Sequence, residues 1–279
     1  MKRRILALPL ALCLALLGVA FAGAQGFGRQ GFGRMRGEPP RFPVADSFDG
    51  GYNFCRGMYS SDRREAGGMG WWTDYPGADI NFSIRLGELT KTRISRQPNG
   101  DPNHLVVRLT DDALFNCPMI EMEDTGTMRL SDAEVLRLRE YLLKGGFLYV
   151  DDFWGDWAWE QWAEEIGRVL PPSEYPIVDL AYDHPLFHST FLVTKLPQIS
   201  SIQFWSRNGG ATSERGAESA QAHIRGISDK HGRLMVVMTH NTDISDSWER
   251  EGEDPQYFNL FSPDGYALGI DVVMYALTH

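Results

Sequence analysis

Hydrophobic and polar positions follow two rhythms along residues 48–279. Short apolar runs read as strands, and longer stretches carry apolar side chains three and four positions apart, the spacing of one helix face. The strand-like runs are residues 48–59, with aromatic spacing, HLVVRLT at 104–110, PMIEME at 118–123, FLYV at 147–150, PIVDL at 176–180 and IQFW at 202–205. Residues 222–240 predict a hairpin that turns at 229–232 and ends in the strongly apolar LMVVM at 234–238. Helical spacing is carried by Ile80, Ile84 and Leu89 and by Phe82 and Leu86, with Thr73 or Asp74 as the cap. The clearest helix covers 131–144. Ser131 and Glu134 form a capping box, Val135, Leu138 and Leu142 together with Leu136 and Leu143 make an apolar face, and Gly145-Gly146 stops it. Further helices are expected at 157–170, with Asp152 or Asp156 as its cap, and at 267–278.

Strands alternating with helices, several of the strands apolar throughout, predict an α/β domain: a three-layer sandwich whose mostly parallel sheet is covered on both faces. No second linker breaks residues 48–279, so they read as one domain. The chain before them is different. Lys2, Arg3 and Arg4 precede an uncharged apolar run at 5–21, and Ala22-Gly23-Ala24 follows, which predicts a secretory signal peptide over 1–24, cleaved near Ala24. The run is shorter than the roughly 20 residues of a membrane span, and Cys13 follows Leu12 instead of a small residue, which argues against a lipid anchor. The mature chain is therefore expected in the periplasm or outside the cell, not as an integral membrane protein. Residues 25–47, with GFGR twice and Pro39, Pro40 and Pro43, read as a flexible Gly/Arg/Pro-rich linker.

Losing the signal peptide takes the formal net charge from -10 to -13. Nonspecific binding to nucleic acid, which needs a basic surface, is excluded. Two cysteines remain, Cys55 and Cys117. An exported compartment permits a bridge between them, but nothing in their spacing demands one.

Ligands of an open parallel sheet bind beyond the carboxyl ends of its strands. Acidic residues, His and Trp follow the apolar runs there, giving a candidate rim of Asp74, Asp151, Asp152, Trp154, His184, His240, Asp243, Asp246 and Glu249, with Asp79, Asp183 and His188 nearby. Such oxygens suit Ca²⁺ or Mg²⁺, and an added imidazole would suit Zn²⁺. No metal motif is present, so no cofactor is predicted beyond a divalent cation that these groups can hold. Carboxylates among indoles also fit a sugar or cell-wall cleft, with a pair such as Asp152 and Glu249 as acid and base. For any single residue, a helix cap or turn is the readier use; it is the whole acidic edge that points to a binding site.

The motifs at 71–90 (WWTDYPGADINFSIRLGELT), 131–155 (SDAEVLRLREYLLKGGFLYVDDFWG), 183–188 (DHPLFH), 225–243 (RGISDKHGRLMVVMTHNTD) and 247–254 (SWEREGED) together resemble the bacterial domain-of-unknown-function 4159 family, over nearly all of residues 48–279. The resemblance implies a flavodoxin-like sandwich of the class I glutamine amidotransferase-like kind. It also implies an envelope protein partner, of a Bat-type or MoxR-linked system. Catalytic members of that wider fold carry a nucleophilic Cys in a strand-to-helix turn. The turn after Val150 holds Asp151 and Asp152, with neither Cys nor Ser, so no glutaminase is expected. The resulting expectation is an envelope-associated ligand- or protein-binding domain. The alternative is a metal- or carboxylate-dependent hydrolase acting on a cell-wall or sugar substrate.

Overall fold

A computed structural model describes residues 38–279; the expected signal peptide and residues 25–37 of the expected linker lie outside the described residues. Seven strands form one sheet in the order β3-β1-β4-β6-β9-β8-β7. They are β1 (Phe54–Met58), β3 (His104–Arg108), β4 (Met119–Glu123), β6 (Phe147–Asp151), β7 (Val178–Asp179), β8 (His223–Ser228) and β9 (Leu234–His240). The strands β3, β1, β4, β6 and β9 are parallel, and β8 and β7 extend the sheet by antiparallel pairing. A separate two-stranded ribbon pairs β2 (Ser60–Ser61) with β5 (Met128–Arg129).

Helices cover both faces, as a mostly parallel sheet requires. On one face lie α1 (Gly77–Leu89) and, near the end of the chain, a long helix that starts at Pro255; Phe82, Leu86, Leu268 and Ile270 pack there with Phe54, Tyr149 and Val237. On the other lie α2 (Asp132–Leu143) and α3 (Gly155–Val169), where Leu138, Leu142, Trp162 and Ile166 meet Val106, Ile120, Val150 and Met238. Alternation along the strands lets β1, β4, β6 and β9 each serve both cores.

Several local expectations hold. Ser131 and Glu134 form the capping box of α2, and the β8–β9 hairpin turns at Asp229, whose backbone N–H donates to the Arg233 carbonyl. Others change. Leu136 and Leu143 are exposed on the outer side of α2, so its apolar face is narrower than its sequence suggested. Neither Thr73 nor Asp74 caps α1: Pro76 occupies that position without a side-chain bond. Neither Asp152 nor Asp156 caps α3: Asn241, from the loop after β9, accepts the Gly155 N–H at 2.8 Å. IQFW forms a helix, α4 (Ile202–Arg207), because Ser201 accepts the Phe204 N–H as an N-cap. After the short helix α5 (Asp246–Glu249), the last helix, α6, spans Pro255–Thr278, twelve residues longer at its start than expected. Asp254 caps it, and the interior Pro263 hid that first half from a periodicity reading.

The end of the expected linker lies on the domain. The Arg41 carbonyl accepts the Val106 N–H along the outer edge of β3, and the Arg108 guanidinium sits 3.7 Å over the Phe42 ring. Cys55 and Cys117 are joined in a disulfide that ties β1 to the segment leading into β4. No helix among the described residues is long and apolar enough to cross a membrane.

Candidate functional site

Every residue needed for a site at the carboxyl end of the sheet arrives from a parallel strand or from the loop after one. Backbone conformation marks the place. Among the described residues, the non-glycine residues with positive φ are Asp74, Asp124, Asp152 and Asn241. Three of them directly follow β4, β6 and β9, and the fourth precedes α1. Left-handed backbone costs free energy outside glycine, is best tolerated by Asp and Asn, and collects at functional sites.

Below this edge, on the α1/α6 face, the sheet carries a buried charged stripe. Period-two alternation sends Arg56 of β1, Glu121 and Glu123 of β4, and Asp151 of β6 to the same side, and pairing sets Arg56 beside Glu121 and Glu123 beside Asp151. All four side chains are fully buried, with Asp79 of α1 over them. Arg56 donates to Asp79 and to the Thr73 carbonyl (2.9 Å), and lies 3.8 Å from Glu121 and 3.9 Å from Glu123. One guanidinium thus serves several acids. Burial pushes Glu121 up to about 8 against the pull of Arg56, and pushes Glu123 well above the usual carboxylate range with help from Glu121. Both Glu123 oxygens lack a hydrogen-bond partner.

Above the stripe lies a second acidic layer. Asp151 Oδ2 accepts the Ser245 N–H at 2.9 Å, and Ser245 Oγ donates to Glu121 at 3.1 Å, so the stripe anchors the loop after β9. In that loop Asp243 accepts the Asp246 N–H at 2.8 Å. Asp246 Oδ2 in turn accepts from the Ile202 N–H (2.7 Å) and the Tyr257 hydroxyl (3.0 Å). Asp74, Asp246 and Glu249 each bring a carboxylate oxygen within 4.8 Å of the others. Gly77 lets Glu249 approach: a Cβ there would stand 2.7 Å from Glu249 Cγ. Burial, reinforced by neighbouring acids, pushes Asp74, Asp152 and Asp243 well above the ordinary value and Asp246 up to about 7. Asp151 rises only to about 6, because Thr239 and the backbone donate to it.

Of the rim read from the sequence, Asp74, Asp152, Asp243, Asp246 and Glu249 form this layer, with Asp151 beneath them. Trp154 borders it through an Nε1–H bond to Asp152 at 2.8 Å. His240 sits to one side, stacked on Phe153 at 4.9 Å and packed against Trp159, with Nε2 on the Gly155 carbonyl; burial lowers it to about 4 and keeps it neutral. His184 is not on the rim. The chain doubles back after β7, and His184 packs on Tyr275, about 27 Å further along α6 than Tyr257. Arg56, Glu121, Glu123 and Asp124 were missed; the available signal was two glutamates at period two inside an otherwise apolar strand.

Asp124, pushed up by burial to about 7, accepts the Gly70 N–H at 2.7 Å. Gly70 also lines a neighbouring cleft of about 440 Å³, with Tyr59, Arg63, Arg64 and Trp71 among its walls. The turn after β6 holds Asp152 in left-handed backbone, and both Cys55 and Cys117 are consumed by their disulfide. No curated protein matches the chain. The model of a family described as a domain of unknown function, DUF4159, matches residues 63–277, most of the chain, and the protein belongs to that family.

Proposed function

We propose that this chain is an exported, envelope-associated binding domain that holds a divalent cation on Asp74, Asp246 and Glu249 and presents it to a ligand or protein partner, without glutaminase activity. The observation that carries this reading is the convergence of three carboxylates from two separate segments to within 4.8 Å, at the end of the sheet where left-handed residues collect. Asp74 Oδ2 adds to it, being sealed from solvent without a hydrogen-bond partner. An all-carboxylate donor set favours a hard cation, Ca²⁺, Mg²⁺ or Mn²⁺, over Zn²⁺. A dication there would offset the burial and mutual repulsion that raise Asp74 and Asp246. The fold is read as a branch of the class I glutamine amidotransferase-like sandwich in which Asp152 stands where catalytic members carry their thiol.

The test is thermal unfolding with each ion and with EDTA. An ion at a hundred times its Kd adds about 2.7 kcal/mol, and D246N and E249Q should abolish the gain. No shift with any ion removes the cation. A second reading, a carboxylate-dependent hydrolase of cell-wall or sugar substrates, draws on Asp151 at about 6 and Asp246 at about 7, values suited to general acid–base work near neutral pH. Turnover of such a substrate, lost in D246N, would favour it over the binding role.

A further inference from the structure

The acidic layer carries a cation of its own. Arg250, directly after α5, places Nε against Glu249 Oε2 and 3.6 Å from Asp246 Oδ1, and its Nη1 lies 2.6 Å from Glu253 Oε1. The Arg250 side chain is 14% exposed and that of Glu253 31%, so the guanidinium runs from the two inner acids to one nearer solvent. Two of the three carboxylates that converge here therefore already share one positive charge in the ion-free chain. A dication seated among Asp74, Asp246 and Glu249 would stand a few ångströms from that guanidinium, where water is scarce and like charges repel strongly.

We propose that Arg250 is the resident counter-ion of this site, competing with the divalent cation for Asp246 and Glu249, with Glu253 as the seat the guanidinium keeps when the ion enters. This rests on the cation reading above. Arg250 then sets the affinity: the ion-free layer stays folded because the guanidinium partly neutralises it, and an ion binds only above the concentration at which it displaces that contact. Glu253 belongs to the same device, because its bond to Nη1 survives a pivot of Nε away from Glu249.

The experiment is calorimetric titration of the whole chain with Ca²⁺, Mg²⁺ and Mn²⁺ in turn, on wild type, R250Q, R250K and E253Q. R250Q should bind at least tenfold more tightly than wild type and unfold at a lower temperature without ion. R250K, which keeps the charge, should stay within a few-fold of wild type. E253Q should bind several-fold more weakly, since the guanidinium loses its outer seat. Binding by R250Q alone also supports the proposal. Equal or weaker binding by R250Q overturns it while leaving the cation site standing; binding by neither protein overturns both. If R250Q does not fold, E253Q decides: unchanged or tighter binding refutes the competition.

Discussion

Replacing Glu121 by Gln should flatten the dependence of stability on pH between 7 and 8.5. Glu121 is fully buried on β4, facing Arg56, Asp79, Glu123 and Asp151, and its carboxyl is raised to about 8 from an ordinary 4.5. At the start of this interval the folded protein therefore keeps a proton that the unfolded chain has released, and gives it up as the pH passes about 8. A group raised in this way stabilises the fold fully below 4.5 and loses that contribution as pH rises through about 8. From pH 7 to 8.5 the loss for Glu121 alone is about 1 kcal/mol, or about 3 °C in Tm for a domain of this size. Asp124 and Asp246, each at about 7, lose smaller amounts in the same direction. The lowered histidines His104, His184, His223 and His240 act the opposite way, mainly below their ordinary 6.5. Gln mimics the protonated side chain and retains an oxygen for the Ser245 hydroxyl, so E121Q should match wild type near pH 7 and exceed it by about 3 °C at pH 8.5. Scanning calorimetry in EDTA buffers reads this difference. Parallel Tm curves for the two proteins would refute the assignment of a buried, protonated Glu121.

Two further outcomes follow from the same geometry. Replacing Cys55 and Cys117 together by Ser opens a loop of 62 residues, which in the chain-entropy picture costs about 4 kcal/mol, and a fall in Tm on the order of 10 °C, with a matching fall for wild type in reductant, checks it. In G77A the new Cβ displaces Glu249, so cation affinity should drop about tenfold with little loss of Tm, because Ala is a better helix former than Gly; unchanged affinity would remove Glu249 from the ligand set.

The sandwich was legible because burial on both faces forces apolar strands, and because the capping box and the Asp229 turn are local chemistry. The PIVDL segment shows where such reading stops. Its apolar run suggested a strand leading to the rim, yet only Val178–Asp179 pair, at the exposed edge, and the following chain doubles back and takes His184 to the other end of α6. Direction after a strand is decided by tertiary packing, which no local pattern encodes. Asp74, Asp152, Asp243, Asp246 and Glu249 were found because a strand's exit fixes a position in space. Arg56, Glu121 and Glu123 were passed over because charge inside a strand ordinarily marks a solvent face, and here both faces are covered.

The two faces of the sheet provide an internal comparison. At the carboxyl ends of β4, β6 and β9, the α2/α3 face presents Met122, Val150 and Met238, all apolar and buried. One residue along the same strands, the α1/α6 face presents Glu123, Asp151 and Thr239, equally buried. The fold therefore does not need charge at this level, since its other face closes without any. Buried acids that share too few cations weaken a domain relative to apolar residues of similar size. The charged stripe on these strands lies on the face and at the end of the sheet that support Asp74, Asp246 and Glu249, and Asp151 and Glu121 connect it by hydrogen bonds to the loop that carries two of those three. A stability cost concentrated there is what a site for a positively charged ligand requires, and what a purely structural end of a sheet does not.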